Sequence, residues 1–123
     1  MKRDFKKDEK PAGAYTVKGH IWVEGPEGTY LGIGRVILLE MIREYGSITG
    51  AARAIDMSYR KAWELVESMN RQAARPLVTA STGGKGGGGA ALTAEGEKAI
   101  KAFREIDDKF RSFREEMISL LRE

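Results

Sequence analysis

The chain has 123 residues, 41% of them hydrophobic, which is enough for one domain with a buried core. It contains no cysteine and only one histidine, which excludes disulfide bonds, thiol catalysis and metal sites built from cysteine or histidine alone. No apolar stretch approaches the ~20 residues that span a bilayer, and the N terminus lacks the apolar core of a signal peptide, so we predict a cytoplasmic protein with no membrane partner.

The net charge is +3, and the charged residues are unevenly distributed. Residues 1–11 carry five Lys/Arg and three Asp/Glu, residues 57–92 carry five and two, and residues 93–123 carry seven and eight. Positive charge therefore collects on the first residues and on the middle of the chain. This placement is typical of a polyanion-binding protein, whereas a uniformly solvated surface does not require it.

Residues 1–14 are polar and lysine-rich and predict a flexible basic tail, which either only solubilises the chain or contacts a nucleic-acid backbone. Residues 15–33 alternate apolar and polar side chains around a Gly-Pro-Glu-Gly turn, which predicts a β-hairpin. Trp22 falls on the opposite face from Ile21 and Val23. We therefore expect both faces of the first strand to be buried, one of them against a helix or a second subunit.

Residues 34–72 predict three helices. The first runs from Gly34 to Tyr45 and ends before Gly46, since glycine readily adopts the left-handed conformation found after helix ends. Its apolar side chains recur at helical spacing: Val36, Leu39 and Ile42.

Ser47 and Ser58 are favourable N-caps for a short second helix and for a third helix that runs to about Gln72. The second helix has a stripe of small and apolar residues that suits a close helix crossing: Ile48, Ala51, Ala52 and Ile55. On the third helix, Trp63 and Met69 are expected to lie in the core.

Residues 77–92 contain two short apolar runs, Leu77–Thr79 and Ala90–Leu92, joined by a glycine-rich loop that carries Lys85. Helix, tight turn, second helix and basic hairpin together predict a winged helix-turn-helix. The expected fold class is α+β, mostly α, with residues 15–123 forming one domain.

Residues 93–122 predict a long last helix, capped by Thr93. Its apolar residues follow heptad spacing from Ala99, which is typical of a helix that pairs with another helix. The half from Phe110 onward extends beyond what so small a domain can cover, so we predict a homodimer. The expected dimerisation residues are Phe103, Ile106, Phe110, Phe113, Met117 and Leu120.

The third helix is the predicted recognition element, because a major groove about 12 Å wide admits one helix whose first residues face the base edges. Arg and Lys can donate to guanine, Glu can accept from cytosine, and hydroxyl groups can bind phosphate. An ordinary solvated face and a wing without contacts are the alternatives. The predicted DNA-binding residues are Thr49, Ser58, Tyr59, Arg60, Lys61 and Glu64 in the helices and Thr82 and Lys85 in the wing, with Ser81 beside them.

The glycine-rich loop does not match a nucleotide-binding P-loop. Gly86 follows Lys85 where a Ser or Thr should hold magnesium, and Thr79 stands at the position of the first glycine. His20 has no identifiable Ser or Asp partner, and the carboxylates are spread along charged helix faces. We therefore predict no enzymatic activity, no cofactor and no metal site.

The sequence GSITGAARAIDMSYRKAWELVESMN, followed by TGGKGGGGAALTAEG, closely resembles the DNA-binding domain of ModE-type molybdenum-dependent transcriptional regulators, which have LysR-like winged helices. The resemblance covers about Gly34 to Phe103. It implies a homodimer that binds a palindromic operator, with Ser58 to Lys61 facing DNA and Lys85 in the wing.

Family members that sense molybdate carry a separate C-terminal oxyanion-binding region. This chain ends at Glu123, so we expect molybdate binding to be absent from it, while the DNA-binding expectation stands. Two other functions remain open at this point. One is a non-specific architectural DNA-binding protein, and the other is a protein-interaction module that dimerises through the heptad helix.

Overall fold

The computed structural model describes residues 14–81 and 88–122. Within these residues, four helices and two antiparallel two-stranded sheets follow one another in the order that the sequence predicts. The mostly α winged helix-turn-helix is thereby confirmed. The elements are β1 (Val23–Gly25), β2 (Gly28–Leu31), α1 (Ile33–Tyr45), α2 (Ile48–Ala54), α3 (Tyr59–Gln72), β3 (Val78–Ser81), β4 (Gly89–Leu92) and α4 (Ala94–Met117), with a short 3-10 helix, Ile118–Leu121, at the end.

The core lies between α1, the first half of α4 and the two sheets. Four side chains of α1 are fully buried, three of them the predicted stripe and the fourth Leu38. Small residues on the facing surfaces of α2 and α3, Ala51, Ala52 and Ala62, are also buried and allow these helices to cross closely. No helix of the described residues is both long enough and apolar enough to span a bilayer.

The predicted starts of α2, α3 and α4 and the predicted end of α1 are confirmed by hydrogen bonds or backbone geometry. The side-chain oxygens of Ser47, Ser58 and Thr93 accept hydrogen bonds from backbone N–H groups three residues later, at 2.9, 3.0 and 3.0 Å. Such bonds satisfy donors that the first helical turn leaves unpaired. Gly46 has φ 72°, in the left-handed region that favours glycine after a helix.

The N-terminal hairpin is shorter than predicted, because strand pairing begins only at Val23, opposite Leu31. The preceding residues lie against α4 instead. The Arg114 Nη1 donates to the Val17 carbonyl oxygen at 3.1 Å, and Gly19 faces the ring of Phe110. The alternating pattern of residues 15–22 was interpreted as a strand, but the four residues of β2 offer no further partner for pairing.

Two tryptophans that were expected to be buried are exposed. Trp22 is 53% exposed, and its indole nitrogen donates to the Glu24 carboxylate at 2.6 Å. Trp63 is 45% exposed, because the buried stripe of α3 consists of Ala62, Val66 and Met69 and lies about 100° around the helix from it. The prediction for Met69 is confirmed and that for Trp63 is wrong, whereas burial of Trp22 against a second subunit stays a prediction.

The last helix is divided between two environments. Gly96, Ile100 and Phe103 are buried within the chain, and Phe103 is only 1% exposed. The prediction that Phe103 contacts a second subunit is therefore wrong, because its side chain is already buried within its own chain. Further along, Phe113 is 53% exposed, and Leu120 lies beyond the end of α4 in the 3-10 helix and is 76% exposed.

Candidate nucleic-acid interface

The first turn and a half of α3 project from the protein surface. All five residues predicted to contact DNA in this helix are exposed: Ser58, Tyr59, Arg60, Lys61 and Glu64. The side chain of Arg60 is 87% exposed and its Nε lies 3.2 Å from the Glu64 Oε2. An exposed pair of this kind contributes little to stability, so both groups are able to exchange it for other partners at small cost.

The turn before α3 sets the direction of this helix. Asp56 adopts φ 57°, a left-handed conformation that Asp tolerates better than most residues, and the Met57 N–H donates to the Ala52 carbonyl oxygen at 2.9 Å. Because Ala52 and Ala62 are buried on the sides where α2 and α3 meet, the opposite side of α3 is left facing solvent.

The wing is held beside α3 by one amide side chain. Asn70 donates from Nδ2 to the Val78 carbonyl oxygen at 2.9 Å, and its Oδ1 accepts from the Leu77 N–H at 2.8 Å and from the Val78 N–H at 3.2 Å. On the other strand, the Ala90 N–H donates to the Gly46 carbonyl oxygen at 2.9 Å. The wing is thereby attached both to α3 and to the turn before α2.

A groove of about 280 Å³ lies where α2, α3 and the wing meet. Thr49 and Tyr59 line it together with Gly88 and Gly89 of the wing, so the structure brings together two of the predicted residues that are ten positions apart in sequence. Ser81, at the end of β3, is half-buried. Thr82 and Lys85 lie outside the described residues.

Arg53 is a basic residue of this surface that the sequence analysis missed. It lies in the last turn of α2, is exposed, and shares a second groove of about 390 Å³ with Thr49 and Tyr59. Within residues 14–81 and 88–122, it takes part in no ion pair. Its position four residues after Thr49, on the same side of a short helix, was the sequence signal that could have identified it.

The far end of α3 is fixed by the N-terminal hairpin. Gln72 donates to the Thr29 carbonyl oxygen at 2.9 Å and accepts from the Glu27 N–H at 3.1 Å, and Arg71 pairs with the Glu27 carboxylate at 3.0 Å. Arg35 of α1 donates to the Ser68 hydroxyl at 3.1 Å, and partial burial lowers the pKa of this guanidinium. These bonds fix the last turns of α3 to the N-terminal hairpin and to α1. The orientation of the whole helix, including its exposed first turns, is thereby set.

A second exposed surface follows one side of α4 and is apolar. Ile106 and Phe113 are exposed on it, while Phe110 and Met117 are half-buried. A groove of about 330 Å³ between β2 and α4 continues this surface, and Ile106 and Tyr30 lie on its wall. Burial raises the pKa of Tyr30, and the nearby Glu95 carboxylate raises it further.

The described residues contain no group of three or more His, Cys, Asp or Glu side chains arranged to hold a metal ion. What they contain is a capped helix-turn-helix whose second helix is exposed at its first turns and flanked by a hairpin wing. This arrangement is that of a DNA-binding transcriptional regulator.

The chain belongs to the bacterial regulatory helix-turn-helix proteins of the lysR family, whose family profile matches residues 34–97. Its helix-turn-helix is of the ModE type. The molybdenum-pterin-binding protein MopB of Rhodobacter capsulatus is 50% identical over 80 residues, which are 65% of this chain and 30% of that protein.

Two further relatives carry the ModE name. The molybdenum transport protein ModE of Azotobacter vinelandii is 39% identical over 85 residues, which are 69% of this chain and 32% of that protein. The DNA-binding transcriptional dual regulator ModE of Escherichia coli K12 is 42% identical over 69 residues, 56% of this chain and 26% of that protein. This chain thus spans a third or less of the length of each of these relatives.

Proposed function

We propose that the chain binds a two-fold symmetric site in double-stranded DNA as a homodimer, with the first turns of α3 in the major groove and the wing on the backbone. The observation that carries this proposal is the exposure of the predicted contact residues of α3 directly beside the groove that Thr49 and Tyr59 share with the wing. A helix and a wing placed side by side can bind a major groove and the strand next to it at the same time.

The residue types at this surface suit two kinds of contact. Arg60 and Lys61 donate to guanine and Glu64 accepts from the cytosine amino group, and these contacts distinguish one base pair from another. The hydroxyl groups of Thr49 and Tyr59 bind phosphate oxygens, which fixes the position of the helix without reading the sequence. In the same proposal, the further phosphate contacts come from Thr82 and Lys85 of the wing.

The second subunit is proposed to bind the apolar side of α4. Exposed side chains in the second half of this helix, Ile106 and Phe113, and Leu120 just beyond it supply a surface of the kind that monomers rarely expose. A symmetric dimer would place its two copies of α3 about one helical turn of DNA apart, roughly 34 Å. The operator is then expected to contain two inverted half-sites.

Selection of duplexes from a random pool tests the proposal as a whole, because it reports affinity, sequence preference and symmetry together. We expect a consensus with two inverted half-sites and an affinity that decreases steeply with salt. A pool that is bound without enrichment of any sequence would contradict specific recognition and favour an architectural role. A dimer that binds no duplex at low salt would favour a protein-interaction module.

Single substitutions then test the assignment of contacts. Arg60→Ala should relax the preference at one or two positions of each half-site, whereas Lys85→Ala should weaken binding to all duplexes about equally and lower the salt slope by about one. Lys101→Ala, an exposed change on α4, serves as the control for the loss of one positive charge. Unchanged binding by both test variants would mean that the contacts lie elsewhere.

A further inference from the structure

The unexpected exposure of Trp63 identifies an aromatic surface on α3, of which the proposed contacts use only the Tyr59 hydroxyl group. Trp63 and Tyr59 are 45% and 53% exposed and lie four residues apart, on one side of the helix. Leu65, two residues further on, is half-buried and packs against the core, whereas Trp63 keeps 45% of its surface exposed. The exposed part of this large indole is available for a partner.

The position of this aromatic surface follows from the residues before and after it. Asn70 is seven residues beyond Trp63, hence on the same side of α3, and its amide binds the β3 backbone at 2.8–3.2 Å. Tyr59 lines the groove that Gly88 and Gly89 of the wing complete. Trp63 therefore faces the cleft between α3 and the wing.

We infer that Trp63, together with Tyr59, contacts the deoxyribose rings of the DNA strand that passes between α3 and the wing. The inference rests on the proposed function, which places α3 in the major groove. A sugar–phosphate strand borders the major groove on the side of the wing. With α3 in the groove and the wing on the backbone, this strand would pass through the cleft between α3 and the wing.

The chemistry of the cleft selects the sugars of that strand as the partner. Phosphates are bound by cations and N–H groups, whereas the indole ring of Trp63 offers apolar area and a single N–H donor. Deoxyribose presents carbon-bound hydrogens and no charge, so it suits an aromatic face. Because every nucleotide has the same sugar, this contact adds affinity for all sequences alike and involves no release of counterions.

Fluorescence tests the contact directly, since the chain contains only two tryptophans. In a Trp22→Phe variant, all indole emission comes from Trp63. We expect an excess of the selected duplex, or of an unrelated duplex at low salt, to protect this emission from quenching by acrylamide, a neutral quencher. The matched control is Trp63→Phe, in which Trp22 reports from the N-terminal hairpin and its quenching is expected not to change.

Binding of labelled duplex, measured by anisotropy on the same samples, separates this inference from the proposed function. Trp63→Ala should weaken binding to selected and unrelated duplexes by about tenfold, equal to about 1.4 kcal/mol, with an unchanged salt slope. Trp63→Phe should retain most of the affinity. Urea unfolding of the Trp63→Ala variant is expected to show a smaller loss than truncation of a fully buried side chain, because 45% of the surface of Trp63 is exposed.

Three results would overturn the inference. Duplex binding that leaves Trp63 fully accessible to acrylamide, or Trp63→Ala binding with the parent affinity, would show that the indole does not touch DNA and would leave the proposed function intact. A parent chain that binds no duplex at all would overturn the proposed function and this contact together.

Discussion

The first half of α4 lies in the core of its own chain, whereas the second half presents apolar side chains to solvent. Ile100 and Phe103 are buried against α1 and the sheets, while Phe113 is more than half exposed. Among the described residues, Val17 and Gly19 lie against this second half, at Arg114 and Phe110. The same helix therefore completes one domain and offers a surface for another protein.

This difference shows that heptad spacing identifies apolar faces without identifying their partners. Phe103, Phe110 and Phe113 follow the spacing of a single seam, yet the first is buried, the second half-buried and the third exposed. Since 24 residues of α-helix extend about 36 Å, only part of α4 can lie over a domain of this size. Substitutions in the first half are accordingly expected to change the free energy of unfolding, and those in the second half to change the association of two chains.

The largest effect is expected from Phe103→Ala. Removing a fully buried phenyl ring leaves a cavity and costs about 3–5 kcal/mol of the free energy of unfolding. Urea unfolding followed by circular dichroism would measure this loss. The matched change in the second half, Phe113→Ala, should cost much less in dilute solution, where the proposed dimer is expected to dissociate. Equal losses for the two variants would contradict the division of α4.

A smaller effect is expected from Gly96→Ala in the first turn of the helix. A Cβ at Gly96 would collide with the backbone carbonyl oxygen of Leu77, which cannot move without disturbing β3. Overpacking of this kind costs about 1–3 kcal/mol. Gly34→Ala is the control, since a Cβ there meets nothing within 4 Å, and a helical Ala should be neutral or stabilising by up to about 1 kcal/mol. Thermal unfolding of both variants would measure the difference.

In the second half, the expected change is in association. Phe113→Ser should weaken the proposed dimer by about tenfold, or about 1.4 kcal/mol, because it removes exposed apolar area from the interface. Sedimentation equilibrium over a range of concentrations would measure the dissociation constant. Glu115→Ser, exposed on another side of α4, is the control. A chain that stays monomeric at every concentration would remove the dimer from the proposal.

Local chemistry made much of the fold predictable from sequence. A hydroxyl three residues before a free backbone N–H, as at Ser47, Ser58 and Thr93, acts within one turn and depends little on the remaining structure. The apolar stripe of α1 was equally clear, because all of it faces a single core. The wing was recognisable from two apolar runs on either side of a glycine-rich sequence.

Partners distant in sequence were not predictable. Trp63 lies at the border of the buried stripe of α3. Helical periodicity alone cannot decide whether a large apolar residue at such a border is buried or exposed. The alternating residues before Val23 do not form a strand, because β2 is too short to pair with them. Likewise, the groove shared by Thr49 and Tyr59 depends on how α2 crosses α3, which no local pattern specifies.

The smallest effect is expected from Arg111→Ala. Arg111 pairs with Asp108 at 2.9 Å and Asp107 at 3.4 Å on an exposed part of α4, and exposed pairs contribute about 0–1 kcal/mol. Directly after the buried Phe103, by contrast, Arg104 binds both oxygens of Glu40 at 2.6 and 2.9 Å and joins α4 to α1, and this bond raises the pKa of Arg104.

Arg104→Ala should therefore destabilise the chain by about 1.5–3 kcal/mol, the range for hydrogen bonds to charged groups, and by more than Arg111→Ala under every salt condition. Urea unfolding of both variants at low and high salt would measure the two losses. High salt should abolish what little Arg111 contributes and leave most of the Arg104 contribution, because Glu40 is mostly shielded from solvent. A larger loss for Arg111→Ala would mean that the second half of α4 is held by its own charges rather than left free for a partner.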